Sequence, residues 1–459
     1  MLVVLRNRTY RHLFTAQVVA LLGTGLATVA LSLLAYDIAG DDASAVLGTA
    51  LAIKMVAYVA IAPVVGAVAD RIPRRVLLVV TDLVRAGVAL ALPFVTQVWQ
   101  IHLLIFLLQA ASAAFTPVFQ ATIPEVLPAE RDYTNALSMS RLAYDLESLF
   151  SPALAAGLLA LLSYNWLFVG TTVGFVSSAA LVVSAVLPKP VPVERTGGIH
   201  ARAAFGIRLF RATPRLRALL ALDLAVAAAG AIVFVDTVVM TRGHFHRSAG
   251  AVSVALGAYG AGSMVAALLL PRLLRRFTDR AVMLSAALAL PVVLVAVGVI
   301  TAGAPDTRSW ILILLAWAAV GAACSAVLTP GGRVIRRSAG DADLPAAFAA
   351  QFSLSHGCWL LTYPLAGWLA AGKGLSTTSA VLGVIALSAT AAAAASWPSR
   401  DPERLGHVHP DLPAGHPHLS DAVRSDAGWR HRHHYVIDRH HHRWPTGASV
   451  AGRRVGSAR

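Results

Sequence analysis

The chain is poor in nearly everything an ordinary soluble enzyme relies on. Of its 459 residues only 13% are charged, 7% are aromatic and 2 are cysteines, Cys324 and Cys358. Soluble domains carry about 25% charged residues, so this shortage excludes an ordinary soluble fold. Both cysteines sit in apolar runs, which rules out a disulfide framework and any CxxC zinc or redox site. No nucleotide-binding loop, nucleophile elbow or HExxH pattern is present, and this disfavours an enzyme. What fills the chain is apolar: 57% of residues are hydrophobic and the mean hydropathy is +0.67. That composition belongs in a membrane, and it excludes disorder over most of the length.

The apolar stretches continue for about 20 residues or more, so helices are expected and alternating barrel strands are not. Breaks at charge clusters, Pro and Gly predict twelve spans: 12–38, 43–69, 76–94, 99–122, 134–162, 164–187, 216–240, 249–270, 281–302, 309–332, 344–371 and 377–397. Arg6, Arg8 and Arg11 precede a first run too long for a cleaved signal, so that helix is expected to stay. Of the 38 Lys and Arg residues, 31 fall on the side reached from the N-terminus and 4 on the other, with Lys54, Arg85 and Arg141 inside spans. This bias places both termini in the cytoplasm. It also accounts for the net charge of +15 through contact with anionic lipid, without nucleic acid.

A basic loop at 188–215, with Pro188, Pro190, Pro192 and Gly197-Gly198, separates a first half (1–187) from a second (216–397), and a tail follows (398–459). The halves echo each other. Gly66-Ala-Val-Ala-Asp70-Arg71-Ile-Pro-Arg74-Arg75 follows the second span, and Pro271-Arg272-Leu-Leu-Arg275-Arg276 follows the eighth with its arginines at the same spacing. Ser151-Pro152 in span 5 is matched by Tyr363-Pro364 in span 11. Gly66 permits close helix approach, and Asp70 can pair with an arginine or cap a helix in the facing half.

The Gly66–Arg75 segment resembles the signature between helices 2 and 3 of the major facilitator superfamily. Asn7-Arg8-Thr-Tyr-Arg11, Thr81-Asp82-Leu-Val-Arg85-Ala and Phe115-Thr-Pro117 resemble its drug:proton antiporter branch, which includes macrolide and siderophore exporters. The nickel-resistance exporters with histidine-rich tails are the most similar subgroup. The resemblance implies an all-α membrane protein of twelve helices in two pseudo-symmetric six-helix halves, working as a monomer. It also implies a conformational gate drawn from Gly66, Asp70, Arg71, Arg74, Arg75, Asp82, Arg85, Arg272 and Arg275, and proton-driven export. Two departures stand out. Phe106 occupies the place of a helix 4 arginine linked to proton coupling, and the helix 5 antiporter motif survives only as Ser151-Pro152 with Ala155 and Ala156.

Ionisable residues at membrane depth are functional candidates by default. Arg141 and Asp145, spaced i, i+4, can form an ion pair that is structural or that releases on protonation, while Glu147 points elsewhere. Asp37 and Asp236, near the outer ends of spans 1 and 7, form either an acidic exit mouth or two solvated carboxylates. Asp223 lies deeper and could receive a cation from inside, and Lys54 could be a counter-ion. His356 is a metal-facing or proton-relay candidate, or a packing residue.

The tail holds ten of the sixteen histidines: His407, His409, His416, His418, His431, His433, His434, His440, His441 and His442. Low apolar content predicts disorder, with two or three imidazoles reaching one divalent ion in a flexible chain. A basic segment lying on anionic lipid is the other reading. Together these features lead to a secondary exporter of nickel, with cobalt second, coupled to protons. A drug or siderophore exporter of the same fold, and a transporter-like metal sensor, are the competing readings.

Overall fold

A computed structural model describes residues 2–68, 73–187, 199–340, 344–399, 401, 404–409, 412–413, 416–419, 422–425, 428–437, 441 and 444. The long helices are α1 (Arg8–Ala39), α2 (Ala43–Val68), α3 (Arg74–Ala91), α4 (Val98–Val126), α5 (Glu130–Leu159) and α6 (Asn165–Ser184). Beyond the predicted linker's start come α7 (Ile199–Ala212), α8 (Pro214–Val239), α9 (Ala249–Arg276), α10 (Asp279–Ala302), α11 (Thr307–Leu328), the short α12 (Gly331–Arg336) and α13 (Leu344–Ser396). Ten predicted spans lie over α1–α6 and α8–α11. The last two fall within α13, which is broken at Gly374, where φ is 80° and ψ 167°. A residue with a Cβ resists that backbone, so the glycine allows the chain to turn there. Part of the expected linker is itself helical, as α7.

Local signals set several boundaries. The Asn7 side chain accepts from the Tyr10 N–H at the start of α1, and Thr278 does the same for α10 through Ala281. Asp306 and Ser309 form a reciprocal capping box on α11. Gly40, at φ 55°, ends α1. Side chains then sort by face. On α10, Ala287, Leu290, Leu294 and Val297 are buried, while Leu288, Val292, Val295 and Val299 are 53–69% exposed. An apolar exposed stripe opposite an apolar buried one is what lipid on the outside requires. Among the described residues nine helical stretches are long and apolar enough to cross a membrane, and two of them, 8–60 and 350–396, have length for two passes. The chain is therefore an all-α multi-pass membrane protein.

α1 packs on α5 and α6, α2 on α4, and α3 on α4 and α6. Further along, α8 packs on α13, α9 on α11, and α10 on α11 and α13. The two groups meet along α2–α13 and α5–α9, with α8 buried along nearly all its length beside α2.

Part of the tail forms strands that composition does not predict. Its described residues contain β1 (Arg404–His409), β2 (Val423–Ser425) and β3 (Gly428–His434) in an antiparallel sheet of order β1-β3-β2, with His407 opposite His431. The physical reason is periodicity. Histidines two residues apart fall on one face of a strand, so Leu405, His407 and His409 are buried together.

Candidate functional site

Two places bring chemistry-bearing side chains together. The first is a cavity of about 310 Å³ enclosed by α1, α2, α4, α5, α6, α8, α9 and α13. Its walls are largely apolar, from Leu31, Leu47, Ile105, Phe175, Phe234 and Leu256, with Thr24, Thr28, Gln109 and Ser151 supplying hydroxyl and amide groups. Thr24, Thr28, Leu31 and Ser32 occur at helical spacing along one stripe of α1. Lys54 from α2 and Glu147 from α5 both line the cavity and interact electrostatically. Glu147 fits there because α1 carries Gly25 opposite it: a Cβ on Gly25 would lie 2.8 Å from the Glu147 Oε1.

One end of this cavity is sealed by close helix approach. A Cβ on Gly48 of α2 would sit 2.5 Å from the Tyr363 carbonyl oxygen of α13, and one on Gly367 would run into the Ser44 carbonyl. Asp236 of α8 is fully buried beside the Ser44 hydroxyl, and among the described residues neither carboxylate oxygen has a hydrogen-bond partner of good geometry. Asp37 is exposed near Tyr164 instead. The two acids therefore do not form one mouth. Asp223 is buried and accepts a hydrogen bond from Gln351 Nε2 at 2.6 Å, tying α8 to α13. His356 stacks on Tyr58 of α2 at 5.9 Å and on Phe352 at 4.0 Å, and its Nδ1 contacts the Phe352 carbonyl at 2.7 Å. It is a contact across the α2–α13 seam and is not among the residues that line the cavity.

The residues expected to form a gate are found in different places. Asp82 and Arg85 form a buried ion pair on α3, Ser178 of α6 donates to Asp82 Oδ2 at 2.8 Å, and the guanidinium lies 4.3 Å from the Phe115 ring and 4.5 Å from that of Phe175. Arg75 donates to the Ala185 carbonyl at 2.6 Å, and Arg74 reaches Thr122 at 3.5 Å. These four bind α3 to α4 and α6. Arg272 and Arg275 are exposed at the end of α9. Gly66 lies in α2. Asp70 and Arg71 lie outside the described residues, as do the side chains of Arg141 and Asp145.

The second place is the tail. The ligand nitrogens of His407, His418, His431, His433 and His441 all lie within 4.8 Å of one another. Nε2 to Nε2 distances are 2.9 Å for His407–His409, 3.0 Å for His431–His407, 2.9 Å for His441–His407, 3.2 Å for His418–His409 and 3.3 Å for His418–His441. Nitrogens about 2.1 Å from a shared ion lie about 3.0 Å apart in an octahedron and about 3.4 Å apart in a tetrahedron, so the spacing suits an ion. Burial pushes the His407 imidazole down to about 3, aided by its charged-form repulsion from His441, His431 and His433. Burial likewise pushes His418 down to about 4, leaving ring lone pairs free of protons. His416 stands beside the group, with its ring 6.4 Å from that of His418. His440, His442 and the side chain of His434 lie outside the described residues.

Sequence reading missed Thr24, Thr28, Tyr259 and Phe234, although a polar stripe at helical spacing on an otherwise apolar α1 was a usable signal. Nothing local marked Ser44 as the neighbour of Asp236.

Residues 13–244 match the family model described as Major Facilitator Superfamily. An uncharacterized MFS-type transporter, YfiS of Bacillus subtilis, is 26% identical over 129 residues, which are 28% of this chain and 29% of that protein. Macrolide efflux protein A of Enterococcus faecalis is 25% identical over 153 residues, 31% of this chain and 47% of that protein. The chain thus spans less than half the length of these curated relatives. The crystal structure of the nucleoside transporter NupG superposes with a TM-score of 0.63 at 13% identity, covering 84% of this chain and 98% of that one, so the two share a fold.

Proposed function

The chain belongs to the Major Facilitator Superfamily, and from that premise we propose a secondary exporter in which residues 1–187 and 216–397 form two six-helix halves that rock about the central cavity. The cargo is an amphipathic organic solute. The observation that carries this reading is the cavity itself, about 310 Å³ of mostly apolar wall with hydroxyl and amide groups and one facing pair of opposite charges. Apolar surface with a few placed polar groups suits such a solute. The likeness to macrolide efflux proteins supports it. The protein is not an enzyme: family and fold are those of transporters.

In this scheme the chain sits in the bacterial inner membrane as a monomer with both termini cytoplasmic, and residues 188–215 link the halves. The Gly48–Gly367 seam is then the outer gate. Protons are the coupling ion, with Glu147 and Lys54 as the exchange point: protonating Glu147 frees Lys54, and the change in charge alters how the cavity holds its cargo. Asp236 meets outer water only when the seam parts.

Export of nickel or cobalt is the second reading, favoured by the histidine centre. Imidazole donors suit Ni²⁺, Co²⁺, Cu²⁺ and Zn²⁺, and a bound ion would supply cross-linking of the strands there. Among the described residues the cavity lining includes no His or Cys, which favours an organic cargo. The test is growth of a sensitive bacterium expressing the chain on Ni²⁺, Co²⁺, Cu²⁺, Zn²⁺ and a macrolide, with cellular metal measured alongside. Drug resistance at unchanged metal content is expected. Resistance confined to Ni²⁺ and Co²⁺ with lowered metal overturns the organic cargo.

A further inference from the structure

The tail docks around one buried cation. Arg215, at the start of α8, is 1% exposed. Its Nε donates to Ser338 Oγ at 2.8 Å, its Nη2 to the Arg337 carbonyl, and its Nη1 to Asp401 Oδ1 at 3.4 Å. The Trp444 ring lies 5.1 Å from the guanidinium carbon. Asp401 is held from two further sides, by Arg337 Nη2 at 3.5 Å and by Trp397 Nε1 at 3.2 Å. Leu405, Tyr435 and Ile437 join the buried cluster of α8 and α13.

The positions of these anchors along the chain matter. Asp401 stands just before β1, which carries His407, and Trp444 stands just after His441. His407 and His441 are 34 residues apart in sequence, yet their Nε2 atoms are 2.9 Å apart. An ion shared by them closes that loop, and the two anchors emerge together from its ends onto Arg215. Tyr435 couples the two regions, with its ring 4.5 Å from His441 and 5.2 Å from Trp444. A three-stranded sheet of this size carries too little apolar surface to hold itself together, and a bound ion supplies what it lacks.

We propose that a first-row divalent cation held by the tail imidazoles staples the tail onto Arg215, and that export is switched up by this docking. The proposal rests on the metal-binding reading of the histidine centre and is independent of what the cavity carries. Asp401 and Trp444 of the tail contact α8, the α12–α13 connection and the segment after α13. Arg337 continues the network to Asp279 of α10, 3.5 Å away. Docking therefore joins the ends of α8, α10, α12 and α13 into one body, and so stiffens that moving unit. When the ion leaves, the loop opens, Asp401 and Trp444 separate, and the buried guanidinium loses the Asp401 carboxylate.

The experiment uses the full chain in proteoliposomes with Ni²⁺ or EDTA. It reads three quantities: ions retained per chain after dialysis, trypsin cleavage at Arg430 and Arg432, and ethidium efflux. One retained ion, protection from cleavage and a roughly fivefold rise in efflux rate, the low end of usual coupling between sites, are expected. His407→Ala with His441→Ala should abolish all three responses. Asp401→Asn should retain the ion but lose the efflux response. If nickel binds and neither cleavage nor efflux changes, or if Asp401→Asn responds as the parent does, the staple is refuted while the metal site stands. If no ion is retained, the metal site and the staple fall together. If ethidium is not a cargo, cleavage still decides: equal cleavage in Ni²⁺ and EDTA refutes docking by metal.

Discussion

Replacing Asp82 with alanine removes the counter-charge of Arg85, whose side chain is 6% exposed and lies against two phenylalanine rings. Breaking a buried ion pair from one side costs about 3–5 kcal/mol, because the remaining charge is left uncompensated. Removing both charges while keeping the aliphatic stem, as in Asp82→Ala with Arg85→Met, should recover most of that loss. For a unit of 150–250 residues each kcal/mol moves the melting temperature by about 2–4 °C. The single variant is therefore expected to melt roughly 6–20 °C below the parent, and the double variant less than half as far below. The assay is thermal unfolding of purified protein followed by tryptophan fluorescence. Equal losses in the single and double variants, or a single variant melting within about 2 °C of the parent, would refute the claim that these charges stabilise one another inside the first half.

Gly367→Leu should force the α2–α13 seam apart. In a background lacking Cys324 and Cys358, a cysteine at Ser44 should become labelled by a membrane-impermeant maleimide only in that variant, and no increase in labelling would refute the seam. Glu147→Gln should make efflux independent of an imposed pH gradient while ethidium still binds; retained dependence would remove Glu147 from coupling. For the tail the sign follows from His407, whose imidazole is held near 3 when folded against about 6.5 when unfolded. The unfolded form takes up the proton first, so the metal-held fold of the tail is fully stable above about pH 6.5 and weakens as pH falls towards 3. The slope is at most about 1.4 kcal/mol per pH unit for each such imidazole, and less for the more open His418. Trypsin cleavage at Arg430 in Ni²⁺ should rise between pH 6.5 and 5, and a flat profile would contradict this.

Much of the bundle was legible beforehand because crossing a membrane is a local demand. A run such as that of α10 must be long and apolar whatever its neighbours, and its ends are marked by Thr278 and Gly303. The break at Gly374 was legible as a gap between two spans for the same reason. The strands of the tail were not legible because its low apolar content was weighed by composition. The i, i+2 spacing of His407–His409 and His431–His433 carried strand information that a count of histidines discards.

Sequence alone therefore determined a multi-pass helical membrane protein, its approximate spans and the superfamily signature, since hydropathy and helical period act over one segment at a time. Only the tertiary structure decided which charges meet. Asp37 and Asp236 occupy similar places in their helices, yet one is exposed and the other is sealed beside Ser44 by two glycines in different helices. Likewise, residues as far apart as Arg215, Asp401 and Trp444 become one cluster only when the chain returns on itself. Burial and pairing depend on what arrives from elsewhere, and no single stretch of sequence encodes that arrival.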